Sequence, residues 1–239
     1  AVIGFVGLLF LLPLSRAYST VWRFWGLPAD NTAQHLGIDM LTSLPDNSIL
    51  FLTQDTPLFA AQYVRYALGI RKDIKAIHVH RLESDEYLVT LARVFPDLAM
   101  PKSDEPDVLT WLIRANGDRF PIFANRRLPA PLGWYWVPWG LAFQLVKEKD
   151  LPRLAALRQA NDALWNNFHD PTKGILSRYN HLMLADVRDV YAASRIVYGK
   201  VLLRGNVLVA AREQFDEAVR LGGDTHLPDA YTYAGLTAM

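Results

Sequence analysis

Short runs rich in apolar residues alternate with stretches of helical spacing along residues 28–148. Residues 48–53 read SILFLT, 74–80 read IKAIHVH and 119–124 read RFPIFA. The first, apolar throughout its middle, suits a strand in a sheet covered on both sides, and the other two read as further strands. Between the first two runs, Gln54-Asp55-Thr56-Pro57 supplies a capping residue and a first-turn proline for a helix over 58–68, which Gly69 ends. Strand, helix and strand in so short a span form a βαβ unit, so the two strands are expected to be adjacent and parallel. Helical spacing recurs over 31–44, 84–95 and 107–116, and residues 134–146 suit a strand pair around Gly140. From Leu151 onward the pattern is helical, over 151–168, 185–204, 207–221 and from 228 to the end. The charged run Lys147-Glu148-Lys149-Asp150 marks a linker, which divides the chain into parts 1–27, 28–148 and 149–239.

The last part carries a repeat signature. Gly199, Ala211, Phe215 and Ala218 follow one another at offsets of 12, 4 and 3, and Gly235 lies 36 residues after Gly199. In a tetratricopeptide-type repeat, small residues let two antiparallel helices approach and an aromatic side chain fills the groove between them. Such repeats bury their faces on neighbours, so the protein is expected to continue past Met239 and to dock a protein partner through this region. At the other end, residues 1–14 (AVIGFVGLLFLLPL) hold no charge. Fourteen helical residues span about 21 Å, short of a ~30 Å hydrocarbon core. A chain that begins partway through a membrane helix accounts for that length. Arg16, Tyr18, Trp22, Arg23, Phe24 and Trp25 follow as an aromatic and basic belt of interfacial type. A buried helix of a soluble domain is the alternative. The expected fold class is therefore α/β, a small parallel-type sheet flanked by helices, preceded by a membrane helix and followed by an α-helical repeat.

Composition narrows the function. A net charge of +1 gives no basic footprint for nucleic acid, and the absence of cysteine excludes disulfides and thiolate metal sites. The signatures of nucleotide hydrolysis, dinucleotide binding, zinc proteolysis and serine hydrolysis are missing, and no catalytic residue, cofactor or metal is expected. His78 and His80 alternate on the second strand, where packing or hydrogen bonding explains them better than a metal. The better candidate site lies beyond the carboxyl ends of the parallel strands, where open α/β sheets bind ligands. Gln54 and Asp55 follow the first strand, His80 and Arg81 the second, and Asn125, Arg126 and Arg127 the third. This mixture of a carboxylate, amides and guanidiniums suits an anion or a sugar. The plainer reading makes Asp55 a helix cap and the arginines solvated loop charges. Trp134, Tyr135, Trp136 and Trp139 suit sugar stacking as well as core or interface packing.

Taken together, these segments resemble the O-mannosyltransferase-like integral membrane proteins, of GT-C type. Leu44-Pro45-x-Asn47-Ser48-Ile49-Leu50 is similar to the family's approach to its first soluble strand. Gly69-Ile70-Arg71-x-Asp73 is similar to its passage from helix to second strand, and Arg119-Phe120-Pro121-Ile122-Phe123-Ala124 to a later strand. Asp55, Phe59 and Tyr63 stand where the family carries an Asp-rich turn and an aromatic helix, although only Gln54-Asp55-Thr56 occupies the turn here. The resemblance implies the soluble carboxyl-terminal part of a membrane glycosyltransferase-like protein. That part would position an acceptor or partner on the extracytoplasmic side, with the catalytic module outside this chain. The alternative is a non-catalytic membrane-anchored scaffold that docks through its helical repeat.

Overall fold

The computed structural model describes residues 13–18, 21, 29–102, 105–178, 181–222 and 228–237. Helix α1 spans Thr32–Thr42, β1 Ile49–Leu52, α2 Asp55–Gln62, β2 Lys75–His78, α3 Asp85–Val94, α4 Val108–Asn116 and β3 Ile122–Ala124. A hairpin follows, with β4 at Trp134–Trp139 and β5 at Ala142–Lys147. Four helices complete the order: α5 Leu154–Asn167, α6 Leu182–Arg204, α7 Leu208–Gly222 and α8 Pro228–Leu236.

The five strands form one sheet in the order β2-β1-β3-β5-β4. β1 lies parallel to both β2 and β3, with Leu52 opposite His78 and Phe51 opposite Ala124. The three apolar runs therefore share one sheet, with the first two adjacent and parallel. The expected parallel-type sheet is corrected in one respect: β5 runs antiparallel to β3 and to β4, so the sheet is mixed. Only Gly140 and Leu141 separate β4 from β5, and so short a connection joins antiparallel strands alone. Gly140 has φ of 57°, and a Cβ there would lie 2.7 Å from Phe168, so both conformation and packing require glycine.

Both faces of the sheet are covered at its centre, where β1 and β3 are apolar and buried on both sides. Ile49, Phe51, Ile77, Ile122, Ala124 and Leu145 point to a layer built from α3 and α4, where Leu91, Leu112 and Ile113 are buried. Leu50, Leu52, Phe123 and Ala142 point the other way. That second core is continuous from α1 and α2 through the sheet to α5, α6, α7 and α8, by way of Leu36, Val64, Trp165, Tyr191 and Phe215.

The membrane helix of the expected architecture is overturned. Among the described residues no helix is long and apolar enough to cross a membrane. The 23-residue α6 has the length, but it carries Asp186, Arg188, Asp189, Arg195, Lys200 and Arg204. Residues 13–18 are helical, with Leu14 and Tyr18 exposed, whereas residues 1–12 and the belt residues Trp22, Arg23, Phe24 and Trp25 lie outside the described residues.

Two of the resembling motifs meet in space. The Arg71 guanidinium donates to the carbonyl oxygens of Leu41 and Leu44, each at 2.7 Å, and of Pro45 at 3.0 Å. It also pairs with Asp73 at 2.9 Å, and Asp73 in turn accepts from the Asn47 amide. These bonds from Arg71 hold the Asp73 carboxyl down at about 2. The motif around Arg71 is thus a clasp that fixes the α1–β1 turn against the start of β2.

The helical end forms the antiparallel pair expected from its spacing. Asn206, at φ of 59°, turns the chain between α6 and α7. Gly199 meets Phe215 so closely that a Cβ there would lie 2.7 Å from the ring. Ala211, Phe215 and Ala218 are buried, and the Phe215 ring stacks on Tyr233 of α8 with centroids 5.4 Å apart.

Candidate functional site

The residues beyond the strand ends divide into two groups. β1 ends beside both β2 and β3, so its last residues face a neighbour on each side. On the β3 side, the Asn125 side chain accepts from the Thr53 amide at 3.0 Å and donates to the Gln54 side chain at 3.1 Å. The Asn125 backbone amide extends the ladder to the Phe51 carbonyl. Asn125 is buried and fully engaged, so it holds the ends of β1 and β3 together and turns the next residues outward. On the β2 side, the Nε2–H of His80 donates to the Thr53 carbonyl at 3.1 Å, and the His80 ring meets that of His78 edge-on at 5.8 Å. Burial first, and then His80, lower the pKa of His78, while Asp55 opposes the shift. Arg81 lies over the Tyr87 ring at 4.9 Å. Asp55 is the first residue of α2, makes no capping hydrogen bond and is exposed. Among the described residues no three histidine or acidic side chains stand together as metal ligands.

The β3 group opens into a cleft of about 710 Å³ that the sheet shares with the helical region. Gln54, Asn125, Arg126, Arg127 and Phe143 form one wall. Helix α6 forms the other through Asp189, Ala193, Val197, Lys200 and Arg204, and Tyr233 of α8 closes it. Residues 189, 193, 197, 200 and 204 recur every three to four positions, which puts them on one helix face. The cleft is thus apolar along its middle and charged at its ends.

Its cations differ in how they are engaged. Lys200 pairs with Asp229 and lies 4.6 Å above the Tyr233 ring. Arg127 rests over Phe143 at 5.4 Å, and burial, followed by Arg204, lowers its pKa. Among the described residues, Arg126, Arg127 and Arg204 form no hydrogen bond and no ion pair within 4 Å. The carboxyl of Asp189 is raised by burial and by Asp186, while Arg126 opposes the shift. Three guanidiniums against one carboxylate leave the site cationic, and guanidinium forks match tetrahedral and planar oxyanions.

Of the seven candidate residues read from sequence, Gln54, Asn125, Arg126 and Arg127 line the cleft, while Asp55, His80 and Arg81 do not. The sequence reading missed Asp189, Lys200, Arg204 and Tyr233. The one-face spacing along α6 was the available signal, but nothing local says which element that face meets. A second buried constellation was also missed. Asp39 accepts from the Tyr191 hydroxyl at 2.6 Å, from the His169 amide at 2.7 Å and from His169 Nδ1 at 2.6 Å. The His169 ring stacks on His35 with centroids 3.9 Å apart. This network ties α1 to the end of α5 and to α6, and so holds the helical wall of the cleft against the sheet domain.

No family model, no curated protein and no solved structure matches this chain.

Proposed function

We propose that this chain is a binding module that holds a ligand bearing an oxyanion in the cleft between the ends of β1 and β3 and the α6–α8 face. One observation carries the reading. Arg126, Arg127 and Arg204 come from two regions far apart in sequence, converge on one cavity, and spend none of their hydrogen-bonding capacity on the protein. A cavity of about 710 Å³ with a few polar groups at its ends has the size of a small-molecule site. Arg127 and Arg204 act on each other across the cleft although like charges repel, an arrangement that a shared anion would relieve.

The resemblance to O-mannosyltransferase-like proteins gives such a module a task. It would position an acceptor or partner for a catalytic region outside this chain, and the cleft would grip that molecule's anionic group. Calorimetric titration with oxyanions tests the binding itself. Phosphate or a phosphomonoester should bind, and Arg126→Ala and Arg204→Ala should each weaken affinity roughly tenfold, the scale of one hydrogen bond to a charged group. Arg158→Ala, on an exposed helix face and paired with Asp162, serves as the control and should change nothing. Affinity that survives both cleft substitutions would defeat the proposal, as would the absence of any oxyanion binding at millimolar concentration.

A further inference from the structure

The charges of the cleft are segregated by sign. Asp189 and Arg204 stand 15 positions apart on one face of α6, which puts about 22 Å of helix axis between them. At the amino-terminal end of that face, the charges acting on Asp189 are Asp186, one turn earlier, and Arg126, on the loop after β3. At the carboxyl-terminal end Arg127 and Arg204 act on each other, while Lys200 is already paired with Asp229. Two carboxylates against one guanidinium leave the first end anionic, and the two guanidiniums leave the second cationic. Asp189, Arg127 and Arg204 make no hydrogen bond among the described residues, so both poles keep their capacity for a ligand. Between the poles the walls differ. Ala193, Val197 and Val201 make the α6 wall apolar. The sheet wall presents Gln54, whose Oε1 accepts from Asn125 and whose amide N–H groups make no hydrogen bond among the described residues.

A free oligopeptide carries an ammonium at one end and a carboxylate at the other. An extended chain advances about 3.4 Å per residue, so roughly six residues set those two charges about 20 Å apart. Resting on the anion-binding role proposed above, we infer that the cleft holds a free, extended oligopeptide of about six residues, its terminal carboxylate between Arg127 and Arg204 and its terminal ammonium on Asp189. The carboxylate relieves the repulsion between the two guanidiniums and accepts from their planar forks. The ammonium donates to the unpaired Asp189 carboxylate, and Asp186 offsets the opposing field of Arg126. Along an extended peptide alternate side chains turn to the same side, so they can rest on Ala193, Val197 and Val201 while a backbone carbonyl accepts from the Gln54 amide. An acyl chain would leave that amide donor against hydrocarbon and Asp189 without a partner. The terminal charges therefore fix both the length and the direction of the bound peptide.

Calorimetric titration of the whole chain with peptides of alternating alanine and serine tests this. With free termini, the hexapeptide should bind roughly tenfold or more tightly than the tripeptide, which reaches only one pole. Acetylating the amino end of the hexapeptide, or amidating its carboxyl end, should each weaken binding roughly tenfold, the scale of one charged hydrogen bond. The variants should divide these two effects between them. Asp189→Asn should abolish the effect of acetylation and keep that of amidation. Arg204→Ala should shrink the effect of amidation to roughly threefold and keep that of acetylation. A folding defect would erase both effects at once, and Asp189→Ser and Arg127→Ala then decide in place of the failed variant. Laurate, a carboxylate on an apolar chain without a cation, should bind roughly tenfold or more weakly than the hexapeptide. Laurate bound as tightly overturns the inference and makes the cleft an acyl-chain site. Peptide affinity that ignores length or either terminal charge overturns it as well, as does an acetylation effect that survives both Asp189 substitutions. If phosphate binds and depends on Arg204 while no peptide binds, the cleft remains an anion site and only its ligand is refuted. If neither phosphate nor peptide binds at millimolar concentration, the binding role falls with it.

Discussion

Gly199 and Phe215 form a pair whose coupling can be computed from the packing and measured directly. Phe215 is fully buried, and its ring is sandwiched between the α6 backbone at Gly199 and the Tyr233 ring. Phe215→Ala empties that space and should cost about 3–5 kcal/mol, including the stacking lost with Tyr233. Gly199→Ala acts in two opposing ways. Alanine in a helix interior gains about 1 kcal/mol over glycine. The new Cβ, however, would lie 2.7 Å from Phe215 Cε1 and 2.9 Å from Cζ, and the buried ring cannot retreat. Overpacking of that kind costs about 1–3 kcal/mol, so Gly199→Ala should be neutral or destabilising in the wild-type chain. With the ring removed the clash disappears, and the same substitution should stabilise by about 1 kcal/mol. The interaction energy of the double-mutant cycle is therefore about 1–3 kcal/mol, equal to the steric term alone. Urea denaturation of the four proteins measures it. If Gly199→Ala stabilises the wild-type chain as much as it does the Phe215→Ala chain, the helices do not approach as described, and the repeat-like reading of this pair fails.

Two further outcomes follow from the polar contacts. Arg71→Lys should destabilise by about 1.5–3 kcal/mol in urea denaturation, because an ammonium cannot reproduce the planar fork that joins three carbonyl oxygens and Asp73. A loss no larger than that of an exposed Arg→Lys change would show that the clasp is not needed. His35 has its pKa lowered from 6.5 by burial and by the stacked His169, so the unfolded chain binds more protons than the folded one. Stability should be fully present above pH 6.5 and decline as the pH falls from 6.5 through the folded value, and His35→Gln should flatten part of that slope. His78 is shifted the same way and should account for a separate part. Denaturation midpoints that do not change across this range would exclude the shift.

The strands and most helices were legible in the sequence because their signals are local. The cores of SILFLT and RFPIFA are apolar on both faces and form the inner strands β1 and β3, while IKAIHVH, with Lys75 and His78, forms the edge strand β2. The parallel pairing of β1 with β2 followed from the handedness and length of the connection between them. Gly199, Ala211 and Phe215 announced their close approach because helical spacing places small and large residues opposite one another. The membrane helix did not follow in the same way: an uncharged run is a statement about composition, and no described helix supports a span. What the sequence could not reveal is where separately folded faces meet. Asp55, His80 and Arg81 lie beyond strand ends just as Asn125 and Arg126 do, yet the β2 side closes on itself through the His80–Thr53 bond, while the β3 side opens toward α6. Arg204 and Asp189 are ordinary surface residues of a long helix until that helix packs across the sheet. Asp39 is an unremarkable helical acid until His169 and Tyr191, 130 and 152 residues away, bring it their donors. Local spacing sets which face of an element is apolar and which is polar. Which polar faces confront one another is decided by burial of the shared core, a property of the whole chain that no window of the sequence contains.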